Sequence, residues 1–238
     1  MASKKSIYLF YDCLSPFSYF AFKCLRRYEH SWNCNLVLKP VLLGGIMAAT
    51  KNVPPAVRPW AAHTKKVSAQ DMERNKKWFN VPNMKPMPSN FFGPKGPADK
   101  SGLARDMRYM RLATAVSLYH PDALGAVTDG LFGMIYEEER DERDRVVITE
   151  TRLENICVAS GIAKGAAKEV VDAISTEEVK GALKHNVLEA LELGAYGAPF
   201  MVCEGQVYFG SDRMEQLAFT HELPWYGPDP ERPSIAKL

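Results

Sequence analysis

Apolar positions along the chain follow two periodicities, and the first change between them falls at Ser15. Ile7 to Tyr11 is an almost unbroken aliphatic and aromatic run, the pattern of a central strand buried on both faces. Past Ser15, Phe17, Phe20, Ala21, Cys24, Leu25 and Tyr28 recur at three- and four-residue spacing, which predicts a helix packed on that strand through one side. Ser15 stands at the expected N-cap. Pro16 takes the first helical position, where its missing N–H would have been unpaired anyway. Asn35 to Val41 predicts a second strand, with Pro40 marking an edge or an early end.

Gly44-Gly45 breaks this pattern, and from there to about residue 160 the chain reads as helical. Helices are expected from Pro59 to Trp78, from Ser101 to Tyr119 with Leu103, Met107, Met110 and Ala113 on one face, and from Asp122 to Glu138 with Leu124, Val127, Leu131 and Ile135. Residues 80 to 100 carry five prolines and Phe91-Phe92, a long loop expected to cover a pocket or a subunit interface, or to be anchored to the helices by its aromatics. Glu137 to Arg145 is a mixed-sign charge run, expected to be a solvated helix end and turn. Leu153, Ile156 and Cys157 mark a short helix ending at Gly161.

Ser175-Thr-Glu-Glu178 has the form of a capping box. Val179, Leu183, Val187 and Leu191 follow it at four-residue intervals, and Gly194 stops the helix. Ala198-Pro199 then opens a strand, Glu204-Gly205 a tight turn, Val207 to Phe209 an antiparallel partner, and Gly210-Ser211-Asp212 a last helix. A proline at a strand start after small residues is where a cis bond is expected. Ala198 would then offer its backbone outward to an extended peptide ligand, as in strand addition.

Composition removes several function classes. With 30 basic and 28 acidic residues among 238, the charge of +2 supplies no field to hold nucleic acid or anionic lipid, so neither is an expected partner. No run approaches the roughly 18 apolar residues of a membrane span, and Met1-Ala-Ser-Lys-Lys leads into the first strand without a secretory signal pattern. The five cysteines are scattered, with no Cys-x-x-Cys pair, so a reducing compartment is expected and neither a disulfide framework nor a metal site. Cys24, Cys157 and Cys203 read as core. Cys13, two residues before Ser15, is a candidate accessory thiol. Ala236-Lys237-Leu238 resembles a peroxisomal import address, and the proline-rich stretch from Gly227 to Ser234 is expected to hold it extended and accessible.

Chemistry converges on Ser15. A strand feeding a helix N-terminus leaves unpaired amides and the positive dipole end at one spot, which favours anions, thiolates included. The same residues equally serve as a plain helix cap. Without the helical insert, the order is strand, helix, strand, helix, Pro-strand, strand, helix, which is the thioredoxin order. Ser15-Pro-Phe-Ser18 then occupies the place of the Cys-x-x-Cys of disulfide oxidoreductases. With serine at both positions, no mixed disulfide can form.

Phe10-Tyr-Asp-Cys-Leu-Ser-Pro-Phe-Ser18, Gly45-Ile-Met47 followed by Asn52 and Pro54-Pro55, Tyr196-Gly-Ala-Pro199 and Phe209-Gly-Ser-Asp-Arg-Met214 together resemble a kappa-class glutathione transferase over nearly the whole chain. The resemblance implies an α/β fold: a thioredoxin-like domain, 1–47 and 173–238, interrupted by an all-helical DsbA-like insertion, 48–172, on the electrophile side and in dimer contacts. It implies a homodimer in the peroxisome, with a mitochondrial or cytosolic pool; a peroxisomal import receptor would be a partner through the tail. Ser15 matches the serine whose hydroxyl donates to the glutathione sulfur, and Pro16 and Phe17 complete that stretch, with Ser18 as an accessory. Ala198, ahead of Pro199, matches the main-chain partner of the cysteinyl unit. Ser211 and Asp212 match the γ-glutamyl site, and Asn52 a further contact.

Glutathione is thus the implied co-substrate, with no metal, and a small apolar electrophile or an organic hydroperoxide the second substrate. Phe17 departs from a frequent tyrosine, Cys13 from a frequent valine, and Ala198 from a bulkier residue. Two alternatives stand beside this reading: a glutathione-dependent isomerase of the 2-hydroxychromene-2-carboxylate type, and a non-redox, chaperone-like peptide-binding protein.

Overall fold

The computed structural model describes residues 4–54, 62–96 and 99–232. Its centre is a four-stranded sheet in the order β2-β1-β3-β4, formed by β1 (Ser6–Tyr11), β2 (Asn35–Pro40), β3 (Phe200–Cys203) and β4 (Gln206–Phe209). β1 pairs parallel with β2 and antiparallel with β3, so the first strand joins two segments separated by most of the chain. β2 is an edge strand and ends at Pro40, as its proline dictates.

Alternation along β1 sends side chains to two cores. Ile7, Leu9 and Tyr11 enter the large core with α1 (Pro16–Tyr28), while Phe10 joins Val41, Ile46, Ala190, Phe200 and Val202 on the other face. The expectation of burial on both faces fails at Tyr8, which is 36% exposed because the second core covers only one end of that face. Phe17 likewise leaves the expected apolar side of α1 and is 38% exposed, whereas Phe20, Ala21, Cys24, Leu25 and Tyr28 are buried. Tyr19 and Phe22 are buried as well, because Phe132 of the insert stacks on Tyr19 at 4.8 Å and packs tilted against Phe22 at 5.4 Å between ring centroids. Removing a ring packed in this way costs about 3–5 kcal/mol.

The insert holds α3 (Ala62–Trp78), α4 (Arg108–Tyr119), α5 (Leu124–Tyr136), α6 (Glu150–Ala159) and α7 (Lys164–Ala173). The predicted apolar face of α5 is buried in full. The predicted start of the next helix upstream is not: Leu103–Arg105 is a separate 3-10 turn, and Met107 lies outside α4 and exposed. There the Asp106 carboxylate accepts from the Arg108 amide and pairs with its guanidinium, which starts the helix late. The start expected at Pro59 lies outside the described residues, as does Pro97 of the long loop.

Two helices were not legible as such. α2 (Leu43–Ala49) runs through Gly44-Gly45, where a break was expected, and α7 begins at Lys164, with only Ile162 and Ala163 between it and Gly161. α8 (Glu177–Glu192) starts one residue later than its capping-box pattern: Thr176, not Ser175, accepts from the Val179 amide. α9 (Met214–Thr220) closes the fold after a 3-10 turn at Ser211–Arg213.

The charge run is the solvated helix end and turn expected of it except at Arg140, and the tail departs from expectation. Arg140 is nearly buried and bonds the Pro86 and Ile135 carbonyls, so it fastens the proline-rich loop to α5 rather than facing solvent. The loop is tied down further by reciprocal bonds between Asn90 and Val146. Residues 224–229 are anchored, not free: the Tyr28 hydroxyl accepts from the Tyr226 amide and donates to the Gly227 carbonyl, and Tyr28 stacks between Trp32 and Trp225. The Ala236-Lys237-Leu238 address lies outside the described residues.

Candidate active site

The turn between β1 and α1 carries Ser15. Its amide donates to the Asp12 carbonyl at 2.9 Å and its Oγ accepts from the Ser18 amide at 3.1 Å, so Ser15 is the N-cap that its place before Pro16 predicts. The hydroxyl proton goes elsewhere. Ser15 Oγ donates at 3.1 Å to the carbonyl of Ala198, whose peptide bond to Pro199 is cis. Two residues 183 apart in sequence thus meet because β3 lies beside β1.

Neighbouring elements complete the site. The Pro199 carbonyl accepts from the Gly210 amide at 3.0 Å, which brings Ser211 and Asp212 alongside the cis peptide. Gly210 has φ +99°, a conformation that favours glycine, while a Cβ there would only displace the exposed Asp212 carboxylate. Ser211 is buried, whereas the Asp212 side chain is 70% exposed and pairs with Arg213 at 3.4 Å. Asn52, three residues beyond α2, donates to the Tyr196 carbonyl at 2.8 Å. Ser15, Pro16, Phe17, Ala198, Pro199, Ser211 and Asp212 therefore border one place, and Asn52 reaches it through Tyr196. Among the described residues, the amides of Phe17 and Ala198 have no protein hydrogen-bond partner.

The two accessory candidates do not reach this surface. Cys13 has no exposed area; its amide donates to Met110 Sδ, and burial pushes its thiol well above the usual range, so it is core. Ser18 is equally buried, and its hydroxyl has no hydrogen-bond partner. Asp12 is a residue that sequence reading missed. It is almost fully buried beneath the turn, accepts from the Leu14 and Leu43 amides and the Tyr109 hydroxyl, and desolvation raises its pKa to about 6 despite those bonds. An aspartate ending a buried strand was the available signal. A cavity of about 210 Å³ between α2, α4 and α8, lined by Leu42, Met107, Leu183, Val187, Arg111 and Lys184, includes none of the candidate residues.

Comparison with known proteins agrees with this architecture. Residues 6–220 match the DSBA-like thioredoxin domain family. The chain is similar to glutathione S-transferase kappa 1 of Rattus norvegicus, 38% identical over 93% of each chain, and to that of Homo sapiens, 34% identical over 95% of each. Among solved structures it is similar to a 2-hydroxychromene-2-carboxylate isomerase, with a TM-score of 0.66 over 91% of this chain and 94% of that one; at 18% identity this likeness speaks for the fold alone. With a thioredoxin-like sheet, a helical insert, serine in place of the redox cysteine and this level of identity, the chain belongs to the kappa class of glutathione transferases.

Proposed function

We propose that the protein binds glutathione at the Ser15 turn, holds its sulfur as thiolate, and directs it onto a small apolar electrophile. The observation that carries this is the Ser15 hydroxyl, capping α1 while its proton points to Ala198 across the site. A cysteinyl unit pairing with the free Ala198 amide would bring its sulfur to that hydroxyl, which turns from the Ala198 carbonyl to donate to it. The α1 N-terminus and the unpaired Phe17 amide add to the stabilisation of negative charge. Ser15 is a donor and not a nucleophile. In conjugation the thiolate forms a C–S bond and the leaving group departs with its electron pair. With an organic hydroperoxide it attacks oxygen, the O–O bond breaks, and a second glutathione reduces the resulting sulfenic acid to give the disulfide.

In this reading the Ser211 turn receives the γ-glutamyl carboxylate, Asp212 its ammonium, and Asn52 a further polar group of the tripeptide. Residues 1–47 and 173–238 form the glutathione-binding domain and 48–172 the electrophile side, with exposed Phe17 at the boundary. The protein acts as a homodimer, reaches the peroxisome through an import receptor reading Ala236-Lys237-Leu238, and keeps mitochondrial or cytosolic pools.

Calorimetry with glutathione and ultraviolet titration of the bound thiolate test the proposal. Wild-type binding with a thiol pKa below the ordinary ~8.5, returned towards that value by Ser15→Ala, is the expected result. Absence of binding would leave Ser15 as a helix cap and a peptide groove beside Ala198.

A further inference from the structure

The catalytic turn and the Asn52 arm share one anchor. Asp12 Oδ1 accepts from the Leu14 amide at 2.9 Å, immediately before Ser15, and Oδ2 accepts at 2.8 Å from the Leu43 amide that opens α2. Beyond that helix Asn52 bonds the Tyr196 carbonyl, two residues before Ala198. The insert supports the turn from below: Tyr109 donates to Asp12 Oδ1 at 3.3 Å, and Tyr136 to the Leu14 carbonyl at 2.6 Å. Both sides of the candidate glutathione site are therefore placed with respect to one buried carboxylate.

We infer that Asp12, in its ionised form, is a positioning residue that sets Ser15 and Asn52 at the separation glutathione requires. The inference rests on the glutathione reading above. Among the described residues no cation stands beside it, and such a carboxylate is a costly way to hold two amides. Its titratable neighbours are Tyr11 and Cys13 of its own strand and turn, Tyr109 of α4 and Tyr136 of α5; burial pushes all four upward, so each is neutral at physiological pH. Desolvation brings Asp12 itself to about 6, within reach of ordinary pH change. On protonation only Tyr109, whose hydroxyl can rotate, is able to accept the new proton from Oδ1. The Leu14 amide then faces a carboxylic hydroxyl, a weaker acceptor, and the turn before Ser15 loosens.

S-methylglutathione is the probe that isolates this effect, since it has no thiol to titrate. Calorimetry between pH 4.5 and 8 is expected to show wild-type affinity falling below a midpoint near 6. Asp12→Asn should bind roughly tenfold more weakly with a flat pH profile, having lost a charge-assisted acceptor. Tyr109→Phe is the milder variant: without a hydroxyl that favours the carboxylate, its midpoint should move to higher pH while the fold is kept. A wild-type profile flat through pH 6, or an unshifted midpoint in Tyr109→Phe, overturns the role of Asp12 and leaves glutathione binding intact. A wild type that binds neither glutathione nor S-methylglutathione at any pH overturns the glutathione reading and this inference with it.

Discussion

The starts of α1 and α8 are built alike and do different things. Ser15 Oγ accepts from the Ser18 amide at 3.1 Å and Thr176 Oγ1 from the Val179 amide at 3.3 Å, each a hydroxyl N-cap bonding the third helical residue. The difference lies in the hydroxyl proton. Thr176 returns its own to the Ala173 carbonyl three residues back, at 2.8 Å, whereas Ser15 sends its proton across the fold to Ala198. A local motif thus fixes a helix start, and a strand pairing 183 residues away gives one such start a second partner and makes it a candidate site.

Ser15→Ala and Thr176→Ala are the sharpest way to break that comparison. Each should cost about 1 kcal/mol of stability in denaturant titration, the usual worth of a cap. Only Ser15→Ala should also lower kcat/KM with a chromogenic electrophile, by roughly a hundredfold or more, as removal of a single donor to a developing anion does. Equal activities in the two variants would reduce Ser15 to the status of Thr176.

The second largest effect is on stability against pH. The carboxyl of Asp12 is raised from 3.8 to about 6 in the folded chain, so folding favours its neutral form. Its contribution is therefore most favourable below pH 4, declines as pH rises through 4 to 6, and stays at its low level above; by linkage the span is of order 3 kcal/mol. Subtracting the unfolding free energy of Asp12→Asn from that of wild type should reveal this decline. A difference independent of pH would mean that Asp12 titrates normally. Thr176 has no ionisable partner in its cap, and Thr176→Ala should show no such pH-dependent difference.

What was legible in the chain follows the same division between local and distant causes. β1 apart from Tyr8, the apolar side of α1 from Phe20 onward, the end of β2 at Pro40, the α5 face and the hairpin from Phe200 to Phe209 are set by periodicity and turn residues, which a window of sequence contains. α2 was not, because the amide of Leu43 is satisfied by Asp12, thirty-one residues earlier, and two glycines argue locally against a helix. Arg140 was read as solvated because its partners, the Pro86 and Ile135 carbonyls, are brought to it only by folding. The tail from Gly227 was read as free for the same reason, since Tyr28 holds it through bonds across about 200 residues. At the candidate site, Ser15 and the Ala198–Pro199 corner were readable from a cap and a proline; Asp12 offered only its place at the end of a buried strand, because Leu43 and Tyr109 are brought to it by folding.

The smallest effect concerns the Ser211 turn, the 3-10 turn that leads into α9. Here the cap is Gly210, with no side chain to bond an amide, and the charged residue after it is already engaged: Asp212 pairs with Arg213 at 3.4 Å. Both side chains are largely exposed, so the pair itself adds little to stability. In the proposed reading it competes with the glutathione ammonium for the same carboxylate. Arg213→Ala should release Asp212 and lower the KM for glutathione by about two- to threefold with kcat unchanged, while Asp212→Asn should raise KM severalfold. If Arg213→Ala instead raises KM, the arginine is itself a glutathione contact, and the γ-glutamyl carboxylate rather than the ammonium is what this corner reads.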